Sequence, residues 1–469
     1  YNGQWYLYPK AIGLEKVLHP EHIILTHGHD DHMHRRSLEM LDKKATVWFP
    51  YQWRAGIEGY MHHLGFEQVK EAVTMHTYEV GDDTRITFLA YSLESIVVVE
   101  SGGLVIVNLN DALNSNHRNV VDMFLRVVKK HWPRIDILIS GFSGAGYFPN
   151  QIRYPGKDDM EIGKIREHYF AHNLCTFADQ LQPKMVVPFA PGFALLEEHN
   201  RWINDVKFNR ERLPAYHEEH IGPLNDMRYI SMWPGDKFED MEYLPLSPYH
   251  DQLRDGGLYH LLDEVYAEEI KEVNTIKPFD RAKILSLKTK AIELMDHNRK
   301  LYAKEVLQEV HFSIRFRDVP ELVWEVSHPA EGFQVQDLED VPEGSRIVIT
   351  TTARLLEISL SRLWGGDALQ AYGLVVEMFD QDALDKNLDI VCVRLLCRYP
   401  IMREDIRKHP FRAAKYFLTN PSIAALQMKQ KVTLRPYVNR FPYNERDHWI
   451  STTKCELCNV CQIPVIEYA

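Results

Sequence analysis

Three histidines and two aspartates crowd into six positions near the start of the chain, His27-Gly28-His29-Asp30-Asp31-His32, directly after the apolar run Ile23-Ile24-Leu25. Imidazole nitrogens and carboxylate oxygens suit zinc, iron or manganese, and a rigid strand end followed by a tight glycine turn can aim several of them at one point. His27 and His29, two apart, can face the same side of a strand end, while Asp31 and His32 reach a second metal across the turn. A polar surface loop is the bland alternative. A buried strand running straight into an HxHxDH string argues against it.

A second group of metal-ligand types lies at the other end, Cys455-x-x-Cys458-x-x-Cys461. Three thiolates at this spacing suit a structural zinc or an iron–sulfur cluster, with Cys392, Cys397 or His448 as candidates for a fourth ligand; a free-thiol tail is the third reading. With six cysteines in all and three of them in these seven positions, the pattern is not a disulfide framework. A reducing, cytoplasmic setting is expected.

The elements that must position these groups follow from patterning. The 469 residues suggest two or three domains, and 45% hydrophobic with 26% charged residues describe an ordinary folded protein. Sixty-six acids against 54 bases give a net charge of -12 without a dense basic block, which argues against nucleic acid or an anionic membrane as partner. No apolar run approaches the roughly 20 residues of a membrane helix. Residues 1–245 alternate short apolar runs with amphipathic stretches: strands at Arg85–Leu89 and Ile96–Val99, a hairpin through Gly102-Gly103 into Leu104–Val107, helices at Val120–Lys130 and Glu161–Leu181, and strands at Ile135–Ile139 and Met185–Val187. Residues 246–310 read as a helical linker with two long helices. Residues 311–445 read as a smaller α+β domain, with strands at Leu322–Val326 and Arg346–Thr350 and helices at Ala368–Met378 and Arg412–Leu418, and residues 446–469 as a Cys-bearing tail.

The HxHxDH string at a strand end resembles the first metal motif of the metallo-β-lactamase fold superfamily. That resemblance implies a four-layer αββα sandwich, an α+β fold, with one or two metals at the sheet edge. It implies further that His27 and His29 bind the first metal and Asp31 and His32 the second, with Asp111, after the run Leu104–Asn110, bridging both. The chain departs from the superfamily's hydrolases at two places. Ala90-Tyr91-Ser92-Leu93-Glu94-Ser95 stands where a third histidine is usual, and Pro188-Phe189-Ala190-Pro191-Gly192-Phe193 where the last one is. Glu94 is a candidate replacement carboxylate, and His199 a distant candidate ligand from a loop.

The strings Ser140-Gly141-Phe142-Ser143-Gly144-Ala145-Gly146-Tyr147-Phe148-Pro149, Phe189-Ala190-Pro191-Gly192-Phe193 and Trp233-Pro234-Gly235-Asp236 are similar to the branch that holds CMP-N-acetylneuraminate hydroxylase and the MBL-fold diiron monooxygenases. The resemblance implies two iron ions, with zinc as the alternative, and O₂ activation at open metal positions, for which iron held by histidine and carboxylate is suited. The Rieske ligand pairs of the sialic-acid hydroxylases are absent. The expected function is therefore a non-heme diiron monooxygenase acting on a small or carrier-bound substrate, with electrons from an external protein and Asp31 and Asp111 at the catalytic centre. The alternatives are a metal-dependent hydrolase of an ester, thioester or phosphodiester, and a degenerate binding module.

Overall fold

A computed structural model describes residues 5–29, 31–52, 55–91, 94–114, 118–144, 146, 151–190, 192–239, 241–253, 261–329, 331–362, 365–399, 402–419, 421 and 425. The chain is a mixed α/β protein with several sheets. Cys455, Cys458 and Cys461 lie outside the described residues.

A small parallel sheet joins His22–Ile24, Thr46–Pro50 and Gln68–Ala72, so the ends of all three strands share one edge. Thr46–Pro50 is buried along its whole length, as the middle strand of a sheet covered on both faces should be. One face meets the helices Arg35–Met40 and Ile57–His63 through Leu38, Val47, Phe49 and Met61. From the other face, Trp48 and Ala72 pack on Ile86, Phe88 and Val97 of a larger sheet.

That larger sheet has seven strands in the order Arg228–Tyr229, Met185–Phe189, Ile137–Gly141, Leu104–Asn110, Glu94–Ser101, Thr84–Tyr91 and Thr77–Gly81. Its first four strands run parallel, and the last three are joined antiparallel. The hairpin expected at Gly102-Gly103 is present, with both glycines at positive φ (57° and 75°), the backbone that a two-residue loop of matching twist requires. The far face is closed by the helices Arg118–His131 and Asp159–Leu181. In the first, Val121, Phe124, Leu125 and Val128 recur at helical spacing and are all buried. Asp158 caps the second by accepting from Glu161 N at 3.0 Å, and Lys129 Nζ, 2.6 Å from Leu181 O, satisfies a carbonyl at its end.

A six-stranded sheet follows, in the order Ile152–Arg153, Val375–Met378, Ile347–Thr351, His311–Phe316, Val323–Ser327 and Gln334–Leu338. Its outermost strand, Ile152–Arg153, comes from the first third of the chain and pairs in parallel with Val376 and Glu377. Two expectations fail here. Ala368–Met378 is not one helix: the helix Gly366–Gln370 stops before Tyr372, whose φ is 69°, and the β-branched Val375 and Val376 enter the sheet instead. Nor does the stretch before residue 310 hold two long helices. Among the described residues it holds one of fifteen, Ile284–Asn298, with the short helices Tyr249–Leu253, Leu262–Val265, Ala267–Asn274 and Lys304–Gln308, interrupted by the extended Thr275 and Lys277-Pro278. Leu287, Ala291 and Met295 of the fifteen-residue helix share a core with Phe312, Ile314 and Trp324 of the six-stranded sheet.

Candidate metal centre

His27, His29, Asp31, His32 and Asp111 all follow the carboxyl end of a parallel strand, where an open α/β edge collects ligands. Leu25 N continues the small sheet by donating to Trp48 O at 2.8 Å, and Ser95 Oγ donates to Thr26 O at 2.6 Å, which pins this strand end to the larger sheet. The chain then turns back, with His29 O accepting from His32 N (3.0 Å) and Met33 N (2.8 Å). The turn thus closes on His29, and Gly28, expected to supply it, keeps a backbone outside the left-handed region. Across the edge, Leu104–Asn110 slips register against Ile137–Gly141 between Asn108 and Asn110. Asn110 then takes φ 54° and the buried Leu113 φ 79°. An asparagine accepts that conformation readily; in a leucine it is local strain of roughly 1–3 kcal/mol, held where it aims Asp111.

The ligand atoms form a continuous chain. His29 Nδ1 stands 2.9 Å from His27 Nε2, which is 3.8 Å from Asp111 Oδ2; that oxygen is 3.0 Å from His32 Nε2, and His32 Nε2 is 3.4 Å from Asp31 Oδ2. Neighbouring ligands on a metal with bonds near 2.1 Å stand roughly 3.0–3.4 Å apart. Three of the four spacings lie at or close to that edge length, while the 3.8 Å between His27 and Asp111 is longer, and Asp111 stands in the middle. His27, His32 and Asp111 are the group of three or more metal-ligand side chains found among the described residues, their ligand atoms all within 4.8 Å of one another. Two imidazoles and one carboxylate on one side of a site is the donor set of non-heme iron centres, and zinc accepts the same atoms.

Two side chains outside the candidate ligands complete the arrangement. Thr26 Oγ1 lies 3.1 Å from His27 Nδ1 and also receives Asn110 Nδ2. A proton on His27 Nδ1 shared with that hydroxyl leaves the Nε2 lone pair facing the cluster. Asn110 Nδ2 further lies 3.4 Å from His27 Nδ1 and 3.5 Å from His32 Nδ1. Thr26 and Asn110 immediately precede His27 and Asp111, and that adjacency is the sequence signal for them.

Electrostatics divide the two halves. Burial, reinforced by His32 and His29, pushes His27 down to about 3, so it is a neutral donor. Burial also opposes charge on His32, but hydrogen bonds to Asp111 and Asp31 outweigh it and push His32 up to about 10. Burial alone would raise both carboxyls, whereas the hydrogen bond and charge of His32 hold Asp31 and Asp111 below the usual carboxylate range. A positive centre is thus favoured between the two carboxylates, where a metal ion would take the place of the His32 proton.

His199 is placed elsewhere. Its Nδ1 is 2.5 Å from Arg317 Nη1 and its Nε2 3.7 Å from Glu197 Oε2, so the structure does not bring it into the group. Glu94 opens the strand Glu94–Ser101 in register with Tyr91. Phe142 is fully buried and Phe193 stacks on Trp5 at 4.7 Å, which makes both of them packing residues.

Comparison with known proteins returns partial structural likenesses. CmlA, a diiron β-hydroxylase from Streptomyces venezuelae, is 18% identical over 45% of this chain and 44% of its own, with a TM-score of 0.30. An isothiocyanate hydrolase from Delia radicum gut bacteria is 15% identical over 46% of this chain and 76% of its own, also at 0.30. Zn(2+)-bound PqqB from Methylobacterium extorquens is 15% identical over 26% of this chain and 43% of its own, at 0.19. The chain thus spans less than half of the length of CmlA. No family model and no curated protein matches the sequence.

Proposed function

We propose that the chain is a metalloenzyme of the metallo-β-lactamase type that holds two metals at the shared strand edge, His27 and His29 on one, Asp31 and His32 on the other, with Asp111 between them. The observation that carries this reading is the unbroken run of five ligand atoms centred on Asp111 Oδ2. The packing order supports the four-layer arrangement: helices 35–40 and 57–63, the small sheet, the seven-stranded sheet, then helices 118–131 and 159–181.

Within that class we favour a non-heme diiron monooxygenase. Each metal would receive three protein ligands, counting Asp111 for both, fewer than a histidine-rich hydrolase site supplies, and open positions are what O₂ chemistry requires. When bound, iron would supply the redox chemistry. The chain's own residues keep His27 neutral by burial and orient its ring through Thr26, keep the Asp31 and Asp111 carboxylates ionised beside His32, and place Asp111 through the strained Asn110–Leu113 turn. The substrate is a small or carrier-bound organic molecule, and the electrons come from an external donor protein.

Hydrolysis with zinc is the second reading, favoured by the fact that zinc accepts the same donor atoms and, once bound, would lower the pKa of a water it holds. The discriminating experiment is metal analysis of the purified protein, with O₂ uptake under reductant. About two irons per chain with O₂ consumption supports the monooxygenase. Zinc with turnover independent of O₂ supports the hydrolase, and a protein that retains no metal overturns both.

A further inference from the structure

The helix Pro410–Thr419 has two unlike faces. One is docked: Ala413 and Tyr416 are buried in a small core with Tyr51, and the Tyr51 hydroxyl donates to Arg412 O at 3.2 Å. Tyr51 directly follows the middle strand of the small sheet, and its N donates to Ala72 O at 2.7 Å. His22–Ile24 pairs with Thr46–Trp48, and the same register carried forward sets Tyr51 level with His27, one strand spacing of roughly 5 Å across. The docked face therefore lies against the edge that carries the metal centre.

The opposite face is apolar and ringed by cations. Phe411, Ala414 and Leu418 recur at helical spacing, and among the described residues Phe411 is 90% and Leu418 80% exposed. Lys415 is exposed beside them. Arg407 and Lys408 are exposed one turn earlier, where His409 N to Asp405 O (2.9 Å) and Ala413 N to His409 O (3.1 Å) carry the helical bonding across the junction. The acids of this stretch do not cancel them: Glu404 and Asp405 are half-buried, with Glu404 ion-paired to Lys300 and 3.7 Å from His297. Glu71, on the docked side, is taken up by Arg412. In a chain of net charge -12, this is a local cationic face around an apolar centre.

Size, charge and packing together select the occupant. A helix of ten residues is about 15 Å long, so one face of it buries less than the roughly 800 Å² per partner of a stable complex and suits a transient redox encounter. The cations call for an acidic partner. Behind the face, Tyr51 and Tyr416 close the way to a substrate arm, whereas an electron crosses packed protein. We infer, resting on the oxygenase reading, that this face docks an acidic one-electron carrier protein, its carboxylates on Arg407, Lys408 and Lys415 and its apolar rim on Phe411 and Leu418. Hydroxylation takes one O₂, two electrons and two protons to turn one C–H into C–OH with release of one water, so two dockings serve each turnover.

The test is calorimetric titration of the full chain with a plant-type [2Fe–2S] ferredoxin, an acidic one-electron carrier, followed by carbodiimide cross-linking of the mixture. Binding is expected to weaken at least tenfold between about 20 and 200 mM salt, to be the same for metal-free protein, and to give cross-links from Lys408 or Lys415 to ferredoxin carboxylates. Arg407→Glu combined with Lys408→Glu, and Phe411→Ser alone, should each weaken binding at least tenfold with unfolding and metal content unchanged. The same variants should slow reduction of the iron-loaded protein by ferredoxin tenfold and leave its reduction by reduced methyl viologen unaffected. Iron that methyl viologen reduces, in a protein that does not bind ferredoxin, would overturn the proposal and leave the oxygenase reading intact. Binding that meets these expectations in a protein that takes up zinc alone would support the docking face and overturn that reading. Self-association abolished by Phe411→Ser, cross-links to the chain's own residues 426–469 in place of ferredoxin, or tighter binding of an acidic acyl carrier protein without a redox group would each overturn the proposal.

Discussion

At the scale of single residues, Asp111 and Thr26 make different predictions. Asp111→Asn keeps the shape but removes the charge that the two halves share, and is expected to reduce bound metal from two per chain to one or none, measured by mass-spectrometric metal analysis. Thr26→Val removes only the hydroxyl facing His27 Nδ1, and a loss of roughly 10–100-fold in metal affinity is expected in competition with a chelator. His168 serves as a pH probe away from the centre. Burial first, then the charges of Arg212 and His220, push it down to about 4, and its ring packs edge-on against Phe208 and Tyr216. Because the folded state binds this proton less well than the unfolded chain, its contribution is fully present above the ordinary imidazole value of 6.5 and is lost as pH falls from there toward 4. With partial exposure discounted, the loss is on the order of 2 kcal/mol. Denaturant midpoints should fall between pH 7.5 and 4.5, and His168→Phe should flatten that slope.

At the scale of elements, the helix Asp159–Leu181 approaches the short helix Ile203–Val206 so closely that a Cβ on Gly163 would lie 2.8 Å from Val206 Cγ2. Gly163→Ala is therefore expected to destabilise by roughly 1–3 kcal/mol despite its better helix propensity, and Val206→Ala in the same chain should restore most of it. Thermal unfolding of the single and double variants checks this. The same scale shows what the sequence can disclose. His27 to His32 are legible because one turn carries them, and Asp111 because it ends an apolar strand; the register slip and positive φ that aim Asp111 leave no pattern. The contact of His199 with Arg317 joins residues 118 apart, and nothing local announces it. Gln334–Leu338 is an edge strand of three exposed polar and two half-buried apolar residues whose alternation breaks at Asp337, which makes it too short a pattern to read. The helix misread through Ala368–Met378 shows the converse error, in which apolar spacing continued across a backbone break at Tyr372.

At the scale of the whole molecule, the two large sheets are not separable by a cut in the chain. Ile152, Tyr154 and Ile162 belong to the core of the six-stranded sheet although they precede residue 245. A fragment ending at residue 245 is expected to expose them, bind a hydrophobic dye and lose its cooperative unfolding; a fragment with a sharp transition and full metal uptake would contradict this. The C-terminal part returns as well: the helix Pro410–Thr419 settles on Tyr51, with Arg412 over the Tyr51 ring at 4.5 Å and ion-paired to Glu71. Arg412→Ala should therefore speed hydrogen exchange in this helix while metal content stays unchanged. The parallel pairing of Ile152–Arg153 with Val375–Met378 also sets a clock on biosynthesis. At typical ribosomal speeds this strand emerges roughly ten to forty seconds before its partner, and for that interval Ile152, buried in the finished core, lacks the strand that pairs with it. Maturation of this protein is thus tied to whatever shields that residue during translation, and slowing elongation between the two strands should lower the soluble yield without altering the finished molecule.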